Sequence, residues 1–181
     1  MRLHYHTYSI DIVSAGGEIV DYDRVISEEL HSSHTTAIEI KVSDEDTVLS
    51  KTLILGCGCG TGIFDRNVLI DDGSLLICIC DSVYRFKLPE MELGWKTRCD
   101  DATCFTITKF KDDYLIHGEL QIARLSKEGD IKWFFSGRDI FVLPHGESDL
   151  LVEDDMITIK DWEGYKYYLN ENGVLIKEER E

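Results

Sequence analysis

Residues 112–141 read DDYLIHGELQIARLSKEGDIKWFFSGRDIF. The apolar run Tyr114-Leu115-Ile116 meets a turn at Gly118-Glu119, and Ile122-Ala123-Arg124-Leu125 then leads to a second turn at Glu128-Gly129. Ile131-Lys132-Trp133 follows. Short apolar or alternating runs between Gly-containing turns predict strand, turn, strand, glycine turn, strand.

Working outward, the same grammar recurs on both sides. Upstream, Asp72-Gly73-Ser74-Leu75-Leu76-Ile77 passes through Asp81-Ser82 into residues 83–88, a turn at 89–92, and Gly94-Trp95-Lys96. Downstream, residues 155–159 pass through Trp162-Glu163-Gly164 to Tyr167-Tyr168-Leu169, the Asn172-Gly173 turn and Val174-Leu175-Ile176. Two extra strands, residues 104–110 and 139–143, fill out four-stranded units. A hairpin cannot bury its apolar face alone, so repeated copies are expected to stack on one another.

Leu125-x3-Gly129-x3-Trp133 resembles the repeat of PQQ-like (quinoprotein-type) β-propellers, in which a Trp at the end of each blade docks between neighbours. Leu88 with Trp95 approximates the pattern one residue shorter, with Met91 where Gly would stand, and in the third copy Lys177 replaces the Trp. The resemblance covers residues 67–177 and implies blades without a cofactor site, since the chain lacks the paired adjacent cysteines of the quinoprotein enzymes.

Residues 1–62 are expected to form a divergent part. Residues 3–13 alternate up to a turn at Ala15-Gly16-Gly17, with residues 18–22 as a returning strand. Residues 23–32 are predicted as a short helix, with Asp23 as N-cap and Ile26 and Leu30 four apart. Strands are expected at 36–42 and 47–55 around an acidic turn, Asp44-Glu45-Asp46, before the glycine-rich GCGCGTG of residues 56–62.

The expected fold is therefore all-β: repeated four-stranded antiparallel units in one domain over residues 1–181, small or incomplete as a propeller, or open with capped ends. A twisted β-sandwich or meander is the alternative, and residues 178–181 are expected as a flexible tail. The 181 residues, 43% hydrophobic and 10% aromatic, suffice for a core of this kind.

Net charge is −16, from 35 acidic and 19 basic residues. Such a balance repels phosphate backbones and attracts basic proteins. The opening MRLHYHTYSIDIV is too polar for a signal peptide, and no apolar run approaches the roughly 20 residues that span a bilayer. A cytoplasmic protein with reduced thiols is expected, binding neither nucleic acid nor membrane.

Cys57-x-Cys59 and Cys78-x-Cys80 offer four thiolates to a zinc ion if both pairs point one way along adjacent strands, but the one-residue spacer is shorter than structural zinc sites use. Cys99 and Cys104 flank a polar turn and have no neighbouring base. GCGCGTG lacks the Lys-Ser/Thr of a phosphate loop and the spacing of a dinucleotide site, so its glycines are read as tight turns or close backbone approach. His4, His6, His31, His34, His117 and His145 form only a weak ligand set. The doublets Asp71-Asp72, Asp100-Asp101, Asp112-Asp113 and Asp154-Asp155 recur before strands and are read as turn residues. Arg124 and Arg138 are expected to pair with such loops. Trp162 is either a docking residue or an exposed anchor.

No catalytic, cofactor-binding or metal-ligating set is assigned. The expected function is a non-enzymatic protein-binding module whose acidic loops meet a basic protein, with a toxin-neutralising, immunity-type role as one version. A metal-dependent enzyme, most plausibly a hydrolase, is the competing class.

Overall fold

A computed structural model describes residues 1–16, 21–27, 36–57, 61–142, 150–153 and 155–180. The first sheet comprises β1 (Arg2–Tyr5), β2 (Tyr8–Ser14), β3 (Arg24–Ser27), β4 (Thr36–Asp44) and β5 (Thr47–Gly56), in the order β1-β2-β4-β5-β3. Three four-stranded meanders follow. The second sheet holds β6 (Val68–Asp71), β7 (Ser74–Ile79), β8 (Ser82–Lys87) and β9 (Glu92–Arg98). The third holds β10 (Cys104–Phe110), β11 (Asp113–Gly118), β12 (Ile122–Leu125) and β13 (Ile131–Phe135). The fourth holds β14 (Leu151–Glu153), β15 (Met156–Lys160), β16 (Tyr165–Leu169) and β17 (Leu175–Arg180).

The sheets stack face to face through three cores. Ile10, Ile12, Ile38, Ile40 and Val42 meet Leu75, Ile77 and Ile79 between the first and second. Leu76 and Cys78 meet Tyr114 and Ile116 between the second and third. Leu115 and Ile122 meet Ile157, Ile159 and Leu169 between the third and fourth. Alternate residues of β7 thus enter different cores, which is why Leu75–Ile79 is apolar without alternation. Among the described residues no hydrophobic cluster joins the fourth sheet to the first, so the stack is an open arc.

The Gly and Trp of the repeat clasp neighbouring sheets. Arg85 and Trp95 sit opposite each other on β8 and β9, and both donate to the Lys127 carbonyl of the next sheet, at 2.7 and 3.0 Å. Arg124 and Trp133, opposite each other on β12 and β13, do the same to the Glu171 carbonyl, at 2.8 and 3.0 Å. Each indole lies over the glycine two residues beyond that carbonyl, where a Cβ at Gly129 would stand 2.7 Å from Trp95 Cδ2. At the first junction Ser50 Oγ donates instead to the Pro89 carbonyl, at 2.8 Å, and Met91 adopts the left-handed backbone with its side chain in the first core.

The outer face of the fourth sheet breaks this grammar. By register, Thr158 stands where Leu76 and Leu115 stand, Lys166 where Val83 and Ile122 stand, and Lys177 where Trp95 and Trp133 stand. The first sheet's outer face carries a charged row, Arg2, Asp11, Lys41 and Lys51, with Arg2 Nε 2.6 Å from Asp11. Polar outer faces are how stacked repeats stay soluble at their ends. Restoring the internal pattern with Thr158→Leu, Lys166→Ile and Lys177→Trp together creates a contiguous apolar patch. The variant is expected to show a higher weight-average mass than wild type by light scattering at equal concentration; an unchanged mass would mean this face is no cap.

Five expectations differ from the structure. Residues 24–27 are the edge strand β3, parallel to β5, not helix; Val25 and Ile26 are β-branched and pair with Leu53 and Ile54, while residues 28–32 lie outside the described residues. Residues 3–13 are not one strand, because His6 takes a left-handed backbone (φ 54°) and folds β1 back onto β2. Asp21 and Tyr22 do not form the returning strand, and residues 17–20 lie outside the description. Residues 139–142 form a connection, and the fourth sheet instead begins with β14. The terminal residues read as a tail continue β17 through Arg180.

Candidate interaction surface

A meander places its first and third turns at one end of the sheet, and its second turn and the connection to the next sheet at the other. The first end is laced by charge. Lys109 of β10 reaches Asp71 across the junction at 2.5 Å, and Tyr114 Oη donates to the same carboxylate at 3.0 Å. Lys111 pairs with Asp155 and Glu171 of the fourth sheet. Asp113 accepts from Arg124 and Lys132 at 2.6 and 2.7 Å. The doublets therefore do more than turn the chain, since one carboxylate of several fastens sheet to sheet.

These pairs have a pH signature. The Lys109 ammonium, joined by Tyr114, holds Asp71 below the usual carboxylate range. Burial pushes Asp113 the other way, but Lys132 and Arg124 outweigh it and its pKa is also lowered. A folded pKa below the unfolded value, about 3.9 for Asp, gives stability that is complete above that value and lost as pH falls toward the folded one. The thermal midpoint is expected to drop below about pH 4, and less so in Asp113→Asn measured against its own neutral-pH midpoint. An identical acid profile in that variant would show that Asp113 does not contribute.

The second end is laced by backbone. Cys104 N donates to Cys80 O, Glu119 N to Thr103 O, Phe141 N to Glu119 O and Trp162 N to Ile140 O, at 2.7 to 2.8 Å. Two buried aspartates brace this strip. Asp100, 1% exposed, accepts from the backbone N–H groups of Ala102, Thr103, Leu120 and Gln121. Asp161 accepts from Tyr165 N at 2.8 Å and from Tyr167 Oη at 2.5 Å, which closes the β15–β16 turn. Tyr167 Oη in turn accepts from Arg138 N.

On that braced strip, two large apolar side chains point to solvent. Trp162 in the β15–β16 turn is 52% exposed, and Leu120 in the β11–β12 turn is 37% exposed. Asp101 and Glu163 are exposed and Glu119 and Asp139 half-buried along the same strip. Its guanidinium groups are already engaged, Arg98 by Asp81 and Asp101, Arg138 by Glu178. Of its two sequence readings, Trp162 is thus exposed rather than docked between blades. Leu120 had not been singled out; an isolated Leu in the polar turn Gly118–Gln121 was the available signal.

The remaining candidates are dispersed. Cys80 has a left-handed backbone (φ 52°) and turns into the first core, whereas Cys78 enters the second. The two sulfurs therefore lie on opposite sides of the sheet, and Cys59 is outside the described residues. Cys78 clusters with Cys99 and Cys104; burial pushes the Cys78 thiol up, and the hydrogen bond with Cys99, followed by burial, raises Cys104. Cys78 and Cys104 are therefore protonated core thiols rather than nucleophiles. Among the described residues no group of three His, Cys, Asp or Glu side chains is arranged to hold a metal ion.

His4 and His6 are exposed around the first turn, with the His6 ring against Tyr5. His117 is buried and donates Nε2–H to the Phe141 carbonyl at 2.9 Å. His31, His34 and His145 lie outside the description, as do Gly58, Cys59 and Gly60 of the glycine-rich passage and Asp154. Gly56 provides the close approach expected of it, since a Cβ there would stand 2.8 Å from Cys80 Sγ.

The stacked meanders match solved propeller domains. The Neurospora crassa Pan2 WD40 domain aligns with a TM-score of 0.50 and 12% identity over 64% of this chain, and the AfRom2 CNH domain with 0.53 and 8% over 96%. The architecture is β-propeller-like. This chain spans 37% and 50% of the length of those two chains. No family model matches the chain, and no curated protein does. No described helix is long and apolar enough to cross a membrane.

Proposed function

We propose that the chain is a non-enzymatic protein-binding module. Residues 1–181 act as one domain, and the partner is a basic protein in the cytoplasm. The carrying observation is Trp162, held exposed on a turn whose backbone and Asp161 clamp leave it little freedom. Exposed, pre-organised tryptophans are the side chains that most often dominate binding energy. A propeller-like scaffold suits such a role, and a net charge of −16 steers cationic partners toward it.

Neutralisation of a basic toxin, such as a nuclease, is the specific version we favour. Capping a cationic active surface is work that a small, rigid, acidic protein does well. The test is a pull-down from the source cells, read by mass spectrometry at low and high salt. Retention of a basic protein at low salt and its loss at high salt is the expected result. Capture of only acidic proteins, or of none, would refute it.

A further inference from the structure

Building on the protein-binding role, we propose that the docking surface is the second-turn rim of the third and fourth blades. Its occupant is an extended segment of a basic protein that lays an arginine over the Trp162 indole and an aliphatic side chain against Leu120. The rim is continuous, since Phe141 N bonds Glu119 O and Trp162 N bonds Ile140 O, so the two turns and the connection between them form one laced strip. Leu120 is fixed from beneath, its own N–H held by Asp100 at 2.9 Å. Both anchors therefore stand on backbone that is already ordered when a partner arrives.

The chemistry of the border selects the occupant. Glu119, Asp139 and Glu163 flank the apolar pair, while Arg98 is already neutralised by Asp81 and Asp101 and Arg138 by Glu178. An exposed indole on a strip that carries carboxylates favours a guanidinium, which can stack on an aromatic face and donate to carboxylates. A neutral apolar segment would leave those carboxylates desolvated without partners. At the opposite end of the blades the carboxylates Asp71, Asp113, Asp155 and Glu171 are instead engaged by lysines and Arg124 of this chain.

The test uses the full chain and a fluorescent peptide of alternating arginine and leucine, followed by anisotropy at low salt. A version with citrulline for arginine serves as a neutral control. The arginine peptide is expected to bind, and Trp162→Ala and Leu120→Ser each to weaken it at least tenfold, about 1.4 kcal/mol. Glu163→Lys, which leaves both anchors in place, is expected to weaken it further as salt falls, whereas Phe134→Ser on an outer strand leaves it unchanged.

Equal binding of the citrulline peptide, or no effect of the rim variants, would overturn the surface while leaving a protein-binding role on other loops. Absence of any peptide binding would also overturn the surface. The protein-binding role itself is decided separately by the pull-down.

Discussion

Replacing Asp100 by alanine is expected to cost about 4 kcal/mol of folding stability, a large part of the 5–15 kcal/mol that ordinary domains possess. One carboxylate, 1% exposed, accepts from four backbone N–H groups: Ala102 at 2.6 Å, Thr103 at 3.1 Å, Leu120 at 2.9 Å and Gln121 at 2.8 Å. The first pair belongs to the connection from the second blade to the third, and the second pair to the β11–β12 turn. No alanine atom replaces the acceptor, and each buried N–H left without a partner costs about 1–3 kcal/mol, reduced where water reaches it.

Space beside the carboxylate is equally committed. A Cβ at Gly118 would collide with Asp100 Oδ2, so the neighbouring turn has given up a side chain to admit it. Burial raises the Asp100 pKa against the pull of its four donors, opposite in sign to Asp71 and Asp113. Between the unfolded and the raised folded value, this group's contribution falls as pH rises. Urea midpoints at pH 7 measure the cost. Asp100→Asn is expected to lie between wild type and alanine, because its amide group must face one pair of donors. An alanine variant within about 1 kcal/mol of wild type would show that the N–H groups find other acceptors.

What the sequence revealed of this fold, and what it concealed, divides by the range of the interactions. The blade grammar was legible because each meander is local, with turn residues such as Asp72-Gly73, Glu128-Gly129 and Asn172-Gly173 adjacent to the strands they join. The strand β3 was concealed because its partner β5 lies far along the chain and pairs in parallel. Ile26 and Leu30, four apart, satisfy a helical spacing without proving one. The fold at His6 carries neither glycine nor proline, so no local signal marks the left-handed residue that reverses β1.

The proposed interaction surface is half legible in the sequence. Trp162 drew notice as an aromatic in a turn, but whether it docks or projects depends on the Ile140 carbonyl, which only the third-to-fourth connection supplies. That connection was misread as a strand since Ile140 and Phe141 are apolar, although their backbone groups lace turns rather than a ladder. Cys78 and Cys80 misled for a related reason. Their spacing promises one face only while the strand continues, and β7 ends at Ile79.

Gly173→Ala is expected to destabilise the protein by about 3 kcal/mol, from two separable causes. Gly173 has φ 73°, where a side chain costs about 1–2 kcal/mol. The new Cβ would also stand 2.5 Å from Trp133 Cδ2, and the indole cannot retreat without releasing the Glu171 carbonyl it shares with Arg124. Overpacking of this kind costs about 1–3 kcal/mol more.

The chain contains its own control at the first junction. Met91 keeps the left-handed backbone (φ 54°) with a long side chain, because Ser50 rather than an indole meets that turn. Glycine is therefore demanded by the tryptophan more than by the backbone angle. A double-mutant cycle tests this division: in a Trp133→Ala background Gly173→Ala is expected to cost only the backbone part, about 1–2 kcal/mol. Equal costs in both backgrounds would show that the indole does not set the identity of residue 173. The clasp would then be an effect of the turn rather than the reason for its glycine.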